Sequence, residues 1–193
     1  MSFVRLSVCL VAFFMFLVAC SSQGQMENEP AKVEDETYQE LKIALTTQPP
    51  TLDTHLTSAT LTTDIGRNIF ETLVTLNSSY QPVPMLAESI DLSDDDLKYT
   101  FHLRENVMFH NGDVMEAEDV VASMNRWLEK SPSGRSMKGA SFVEEDPLTV
   151  SLILEEPISD VLDMLADRVQ FPAIMPKEVI ESEKAEGVTE YIG

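Results

Sequence analysis

A short basic start, residues 1–5, runs into twelve uninterrupted apolar residues, 8–19 (VCLVAFFMFLVA), which stop abruptly at Cys20. Twelve residues are too few to cross about 30 Å of hydrocarbon as a helix, but they suit the apolar stretch of an export signal. Residues 1–19 are therefore read as a signal peptide, and the rest of the chain folds in the cell envelope, outside the cytoplasm. This one feature removes the amino terminus from the fold and sets the redox compartment of the remaining chain.

The junction Leu17-Val18-Ala19-Cys20 looks like a bacterial lipobox, in which the cysteine thiol carries a diacylglyceryl thioether and becomes the first mature residue. Small Ala19 leaves the preceding bond open to the peptidase; ordinary cleavage beside a chance cysteine is the alternative. With Cys9 discarded and Cys20 lipidated, no thiol remains, which removes disulfides, thiolate metal sites and cysteine nucleophiles. Residues 21–40 are polar and acidic with almost no apolar anchors, the composition of a flexible tether holding a body off the membrane. Beyond residue 20 no run is long enough to cross a bilayer.

Thirteen Lys and Arg face 33 Asp and Glu, a net charge of -20. That excess repels phosphate backbones and anionic membrane surfaces, which argues against a nucleic-acid partner; a solvated acidic surface explains it. The remaining length suffices for a real core. Leu41, Ile43 and Leu45 alternate with Lys42 and Ala44 as in a half-buried strand ended by Pro49-Pro50. Leu61, Ile65, Ile69, Leu73 and Val74 recur at helical spacing and predict a helix over residues 60–74. Residues 89–92 and 99–103 bracket Ser93-Asp94-Asp95-Asp96 as a hairpin would, burying Tyr99, Phe101 and Leu103. His110-Asn111-Gly112-Asp113 is a turn leading to a helix over residues 117–129, with Val120, Val121, Met124, Trp127 and Leu128 in one apolar stripe. Trp127 is read as core. A second hairpin is expected around Asp146-Pro147, and helices over residues 158–169 and 176–186.

The residues that could carry chemistry form no recognisable constellation. His55, His102 and His110 match no zinc spacing, and neither a phosphate-binding glycine loop nor a serine nucleophile elbow is present. Asp91, Ser93 and Asp95 imitate the start of a calcium loop, yet its glycine is missing at Asp96 and its twelfth position is His102. With so many carboxylates, chance pairs are plentiful and none can be nominated for acid/base work. No enzyme reading, catalytic residue, metal site or cofactor emerges.

Several blocks then fall in one order: Pro49-Pro50-Thr51-Leu52-Asp53; Asn68-Ile69-Phe70-Glu71-Thr72-Leu73-Val74; Pro82-Val83-Pro84-Met85-Leu86-Ala87-Glu88-Ser89; residues 99–113; and Ala117-Glu118-Asp119-Val120-Val121. Together they resemble the extracellular solute-binding proteins of ABC importers, the dipeptide, oligopeptide and nickel-binding family, over roughly residues 40–193. Pro50 stiffens the exit from the first strand, Gly112 permits a turn, and Asp119 lies in the first turn of a helix, where a negative charge meets exposed amides. Arg104 is either a surface cation or, as the resemblance implies, a brace for the hairpin. Met115-Glu116 departs from the small hydroxylated residue the family commonly places there, at a modest capping cost.

The resemblance implies an α/β, periplasmic-binding-protein-like fold of the large two-lobed type, of which this chain holds part of the first lobe. Residues 41–76 would begin the main amino-terminal lobe, residues 77–184 an accessory subdomain, and residues 185–193 the return toward the main lobe. Tyr191-Ile192-Gly193 looks like the start of the family's Ile-Gly-Thr-Gly-Pro motif, so truncation is expected. The implied function is a lipid-anchored receptor that captures a short peptide or related solute and delivers it to ABC permease subunits. Thr57, Ser58 and Thr60 are candidates for the edge of the ligand cleft; a helix-capping loop explains them equally well. A nickel-chelate, sugar or other solute receptor, with His55 near the cleft edge, and a short lipoprotein serving as an interaction or sensor module are the other readings.

Overall fold

The computed structural model describes residues 41–182 and 187–193. Residues 1–40, with the signal, Cys20 and the tether, lie outside the described residues, as do residues 183–186. The chain divides into two units between Ala44 and Leu45, and the second holds every helix and strand among the described residues.

Its elements are α1 (Thr60–Gly66), β1 (Val74–Leu76), β2 (Pro82–Pro84), β3 (Ala87–Leu92), β4 (Lys98–Leu103), α2 (Ala117–Lys130), α3 (Pro132–Ser136), β5 (Ser141–Asp146), β6 (Thr149–Ile153), α4 (Val161–Leu165) and α5 (Lys177–Glu181). β3, β4, β6 and β5, in that spatial order, form an antiparallel sheet, and β1 pairs with β2 as a small separate ribbon. Strand alternation explains the sheet's inner face: Tyr99, Phe101 and Leu103 of β4 are buried while Lys98, Thr100 and His102 between them are half-buried. Phe101 lies opposite Val150, and its ring meets Phe142 with centroids 6.2 Å apart. Both hairpins therefore form where the alternation and turn residues place them; the first turns through Ser93, whose N–H and carbonyl bond Lys98 and Asp96.

α2 covers that inner face. Its stripe of Val120, Met124, Trp127 and Leu128 is buried, with Val121 partly so, against β5 and β6. Trp127 is the only tryptophan of the chain and is 0% exposed. Its emission is expected to be blue-shifted, resistant to acrylamide and unmoved by added solute; a solvent-like spectrum would contradict this packing.

Four expectations change. Residues 41–45 form no strand, and Leu41 and Ile43 are 80% and 71% exposed. The alternation is there, but among the described residues no neighbouring strand supplies a ladder, and an unpaired strand has nothing to hold it. The helix predicted over residues 60–74 ends at Gly66, and Val74 pairs instead with Pro84 in the ladder of β1 and β2. The prolines flanking Val83 hid that ribbon, although proline is compatible with a short edge strand. The helix predicted over residues 158–169 shrinks to α4: the Asp167 carboxylate accepts the Val169 N–H at 2.7 Å and turns the chain. α5 occupies only the first part of residues 176–186, opening directly after Pro176.

Candidate functional site

The most unusual chemistry in this body is a buried ion pair. Asp53 is 0% exposed and the Arg126 side chain 3%, and the guanidinium meets the carboxylate as a fork, Nη2 to Oδ2 at 2.6 Å and Nη1 to Oδ1 at 3.0 Å. Two backbone amides complete the acceptor's shell: His55 N–H donates to Oδ1 at 3.1 Å and Val188 N–H to Oδ2 at 3.1 Å. Nearby, His55 Nε2 lies 2.9 Å from the Ala173 carbonyl, to which it donates in the tautomer that suits a carbonyl partner. His55 is buried and so does not stand at an open edge.

Arg126 belongs to a polar stripe on α2. Asp119 Oδ1 accepts the Lys177 N–H at 2.8 Å, the Ser123 hydroxyl bonds both the carbonyl and the N–H of Met175 at 2.9 Å, and Arg126 holds Asp53. Steps of four and three residues place these side chains on one helix face. The helix thus gathers two distant stretches of chain, one around Asp53 and one over residues 175–177. Sequence reasoning singles out Asp53 and Asp119 but misses Ser123 and Arg126; the signal for both is the polar run beside the apolar stripe.

The remaining candidates are dispersed. Pro50 is exposed, as are Ser58 and Thr60, while Thr57 is half-buried with its Oγ1 accepting the Ala59 N–H at 3.1 Å. The cap position of α1 is Ala59, which has no side-chain oxygen to offer, so Thr57 acts just ahead of the helix and not as its cap. Glu71 is exposed, and its carbonyl accepts the Ile174 N–H at 3.0 Å. Arg104 donates from Nε to the Met85 carbonyl at 2.7 Å, bracing the approach to β3. Gly112 adopts φ +93° in the turn at residues 109–113, where its N–H bonds the Phe109 carbonyl. Asp119 accepts the Glu116 N–H at 2.9 Å in the first turn of α2. A cavity of about 320 Å³ opens between Arg67, Glu71, Phe109, His110 and Gly193; of the sequence candidates it includes Glu71 alone.

Burial and pairing act oppositely on the two carboxylates. Burial pushes the Asp53 carboxyl up, but the hydrogen bonds and charge of Arg126, aided by His55 and the Val188 amide, overcome it and leave the group below its ordinary 3.8. Burial lifts the Asp119 carboxyl above 3.8 despite the amides of Glu116 and Lys177, with the charges of Glu178 and Glu118 adding to the rise. Asp53 therefore contributes stability that is complete above 3.8 and fades as pH falls through its lower folded value, whereas Asp119 favours the folded state on protonation through its raised value. The stability gap between wild type and Asp53→Asn is accordingly expected to shrink between about pH 5 and pH 3. Urea midpoints at those values check this, and a gap independent of pH would refute it.

The body, an antiparallel sheet covered by one long helix, superposes on part of solved periplasmic binding proteins. AgaA of A. tumefaciens R10, solved with agropinic acid, superposes with a TM-score of 0.68 at 29% identity, over 76% of this chain and 30% of its own. The substrate-binding domain of a Bacillus anthracis oligopeptide ABC transporter gives 0.61 at 25% identity, over 73% and 30%. In sequence, a probable peptide ABC transporter periplasmic-binding protein of Sinorhizobium fredii is 32% identical over 65% of this chain and 24% of its own length. The oligopeptide-binding protein OppA of Bacillus subtilis is 30% identical over 57% and 20%. The family model described as bacterial extracellular solute-binding proteins, family 5 Middle, matches residues 81–193, and the chain belongs to that family. It spans between a fifth and a quarter of the length of these curated relatives. No helix among the described residues is long and apolar enough to cross a membrane.

Proposed function

We propose that this chain belongs to a receptor for an ABC importer, tethered outside the cytoplasm by lipid on Cys20, that captures short peptides and hands them to the permease. The observation that carries the reading is the family match over residues 81–193, joined to sequence relatives named as a probable peptide ABC transporter periplasmic-binding protein and an oligopeptide-binding protein. Residues 41–76 then begin the main lobe, residues 77–184 form the accessory subdomain and residues 185–193 return toward the main lobe. Such a receptor performs no covalent step: solute binding shifts an open two-lobed ensemble toward a closed one that the permease recognises. Exposed Ser58 and Thr60 with half-buried Thr57 offer hydroxyls suited to a peptide backbone.

Titration calorimetry of the complete native protein with trialanine, free alanine and nickel-histidine tests the solute. The expected result is a Kd for trialanine of about 1 μM or tighter, roughly -8.2 kcal/mol, with little heat from the other two. Tight binding of nickel-histidine without peptide binding would replace the peptide reading with that of another solute receptor of this fold. The anchor has a separate test. Cys20→Ala is expected to release the protein from the detergent phase and remove the lipid from its intact mass; unchanged partitioning would refute lipidation at Cys20.

A further inference from the structure

The joint around Asp53 connects three parts of the chain. Its carboxylate accepts from Arg126 on α2, from His55 in its own loop and from Val188 in the stretch after the undescribed residues. Gly187 fits that joint closely: it adopts φ +98°, and a Cβ there would lie 2.7 Å from Asp53 Oδ2 and 2.6 Å from Leu56 Cδ1. The loop leaving the joint is turned by Leu56 N–H on the Asp53 carbonyl at 3.3 Å and by Ala59 N–H on Thr57 Oγ1. Residues 53–55 are thus buried and pinned, and within a few residues Ser58 and Thr60 emerge into solvent.

A buried ion pair is a poor way to gain stability, since apolar residues of similar volume often stabilise as well or better. What the guanidinium fork supplies is orientation, because two parallel N–H bonds fix the carboxylate plane and hence the backbone bearing it. A solute-facing loop held in place before binding loses less freedom when the solute arrives.

The geometry points to Arg126 as a positioning residue: from the accessory subdomain it locks Asp53, and so sets the loop of residues 54–60 for contact with solute. This rests on the peptide-receptor reading, in which that loop borders the cleft. Arg126 itself is buried. The direct tie from α2 to the loop is the Asp53 carboxylate.

The test compares the complete protein with two variants that avoid a stranded charge, Arg126→Lys and the pair Asp53→Asn/Arg126→Gln. Amide hydrogen exchange and the Kd for trialanine are measured on each. Exchange is expected to quicken about tenfold over residues 54–60 and 187–188 while the β3–β6 sheet keeps its protection, and the Kd to weaken about tenfold. Lysine, which keeps the charge but not the fork, should fall between wild type and the neutral pair in both readouts. Exchange that rises equally in the sheet, or does not rise in the loop, overturns the proposal, as does a released loop with an unchanged Kd. A wild-type protein that ignores trialanine sinks the peptide reading instead, and loop-confined exchange would still assign the positioning role to Arg126.

Discussion

Arg126→Met is expected to cost the folded body about 3–5 kcal/mol, because it leaves the Asp53 carboxylate charged, wholly buried and without its guanidinium. Domains are stable by only about 5–15 kcal/mol, so this single change consumes a large share of the margin. The amides of His55 and Val188 still reach the carboxylate, but two neutral donors do not replace a bidentate cation. Removing the charge as well should help: Asp53→Asn/Arg126→Met is expected to recover about 1–3 kcal/mol over the single variant, since an amide oxygen can still accept one backbone N–H. Urea unfolding followed by circular dichroism reads both values. A double variant no more stable than Arg126→Met would mean that lost packing of the arginine stem, not the stranded charge, sets the cost.

The same joint shows where sequence reading reaches its limit. Tyr99, Phe101 and Leu103 announce a buried strand face because alternation is a local signal, and the stripe through Val120, Met124 and Trp127 announces α2 for the same reason. Asp53 draws attention only through resemblance to a family motif. Its partner lies 73 residues away, and no local pattern states that an arginine beside an apolar stripe will be buried and not solvated. Local pattern also misleads where tertiary pairing decides. Leu41, Ile43 and Leu45 alternate as a strand does yet find no ladder among the described residues, and Val74 leaves a helical repeat to pair with Pro84. The candidates Thr57, Ser58 and Thr60 are legible as short polar side chains, while the anchoring of their loop through Asp53, Arg126 and Val188 exists only in three dimensions.

The stretch of residues 170–177 depends on α2 in a way that a single substitution can expose. Trp127 Nε1 donates to the Gln170 carbonyl at 2.6 Å, Ser123 holds Met175 from both sides, and Asp119 receives the Lys177 amide. Trp127→Ala removes the largest fully buried side chain together with the first of these ties, and about 3–5 kcal/mol of destabilisation is expected. Trp127→Phe separates the two causes. The ring still fills most of the space, so the main loss is the partner of the Gln170 carbonyl, which should cost about 1–3 kcal/mol. Circular dichroism must track this unfolding, since either change removes the chain's only tryptophan. Equal damage from both variants would show that the hydrogen bond to Gln170, more than the packing of the indole, keeps α2 joined to this stretch. The expected ordering, alanine well below phenylalanine, would instead make the volume of Trp127 the dominant link between the helix and the backbone it gathers.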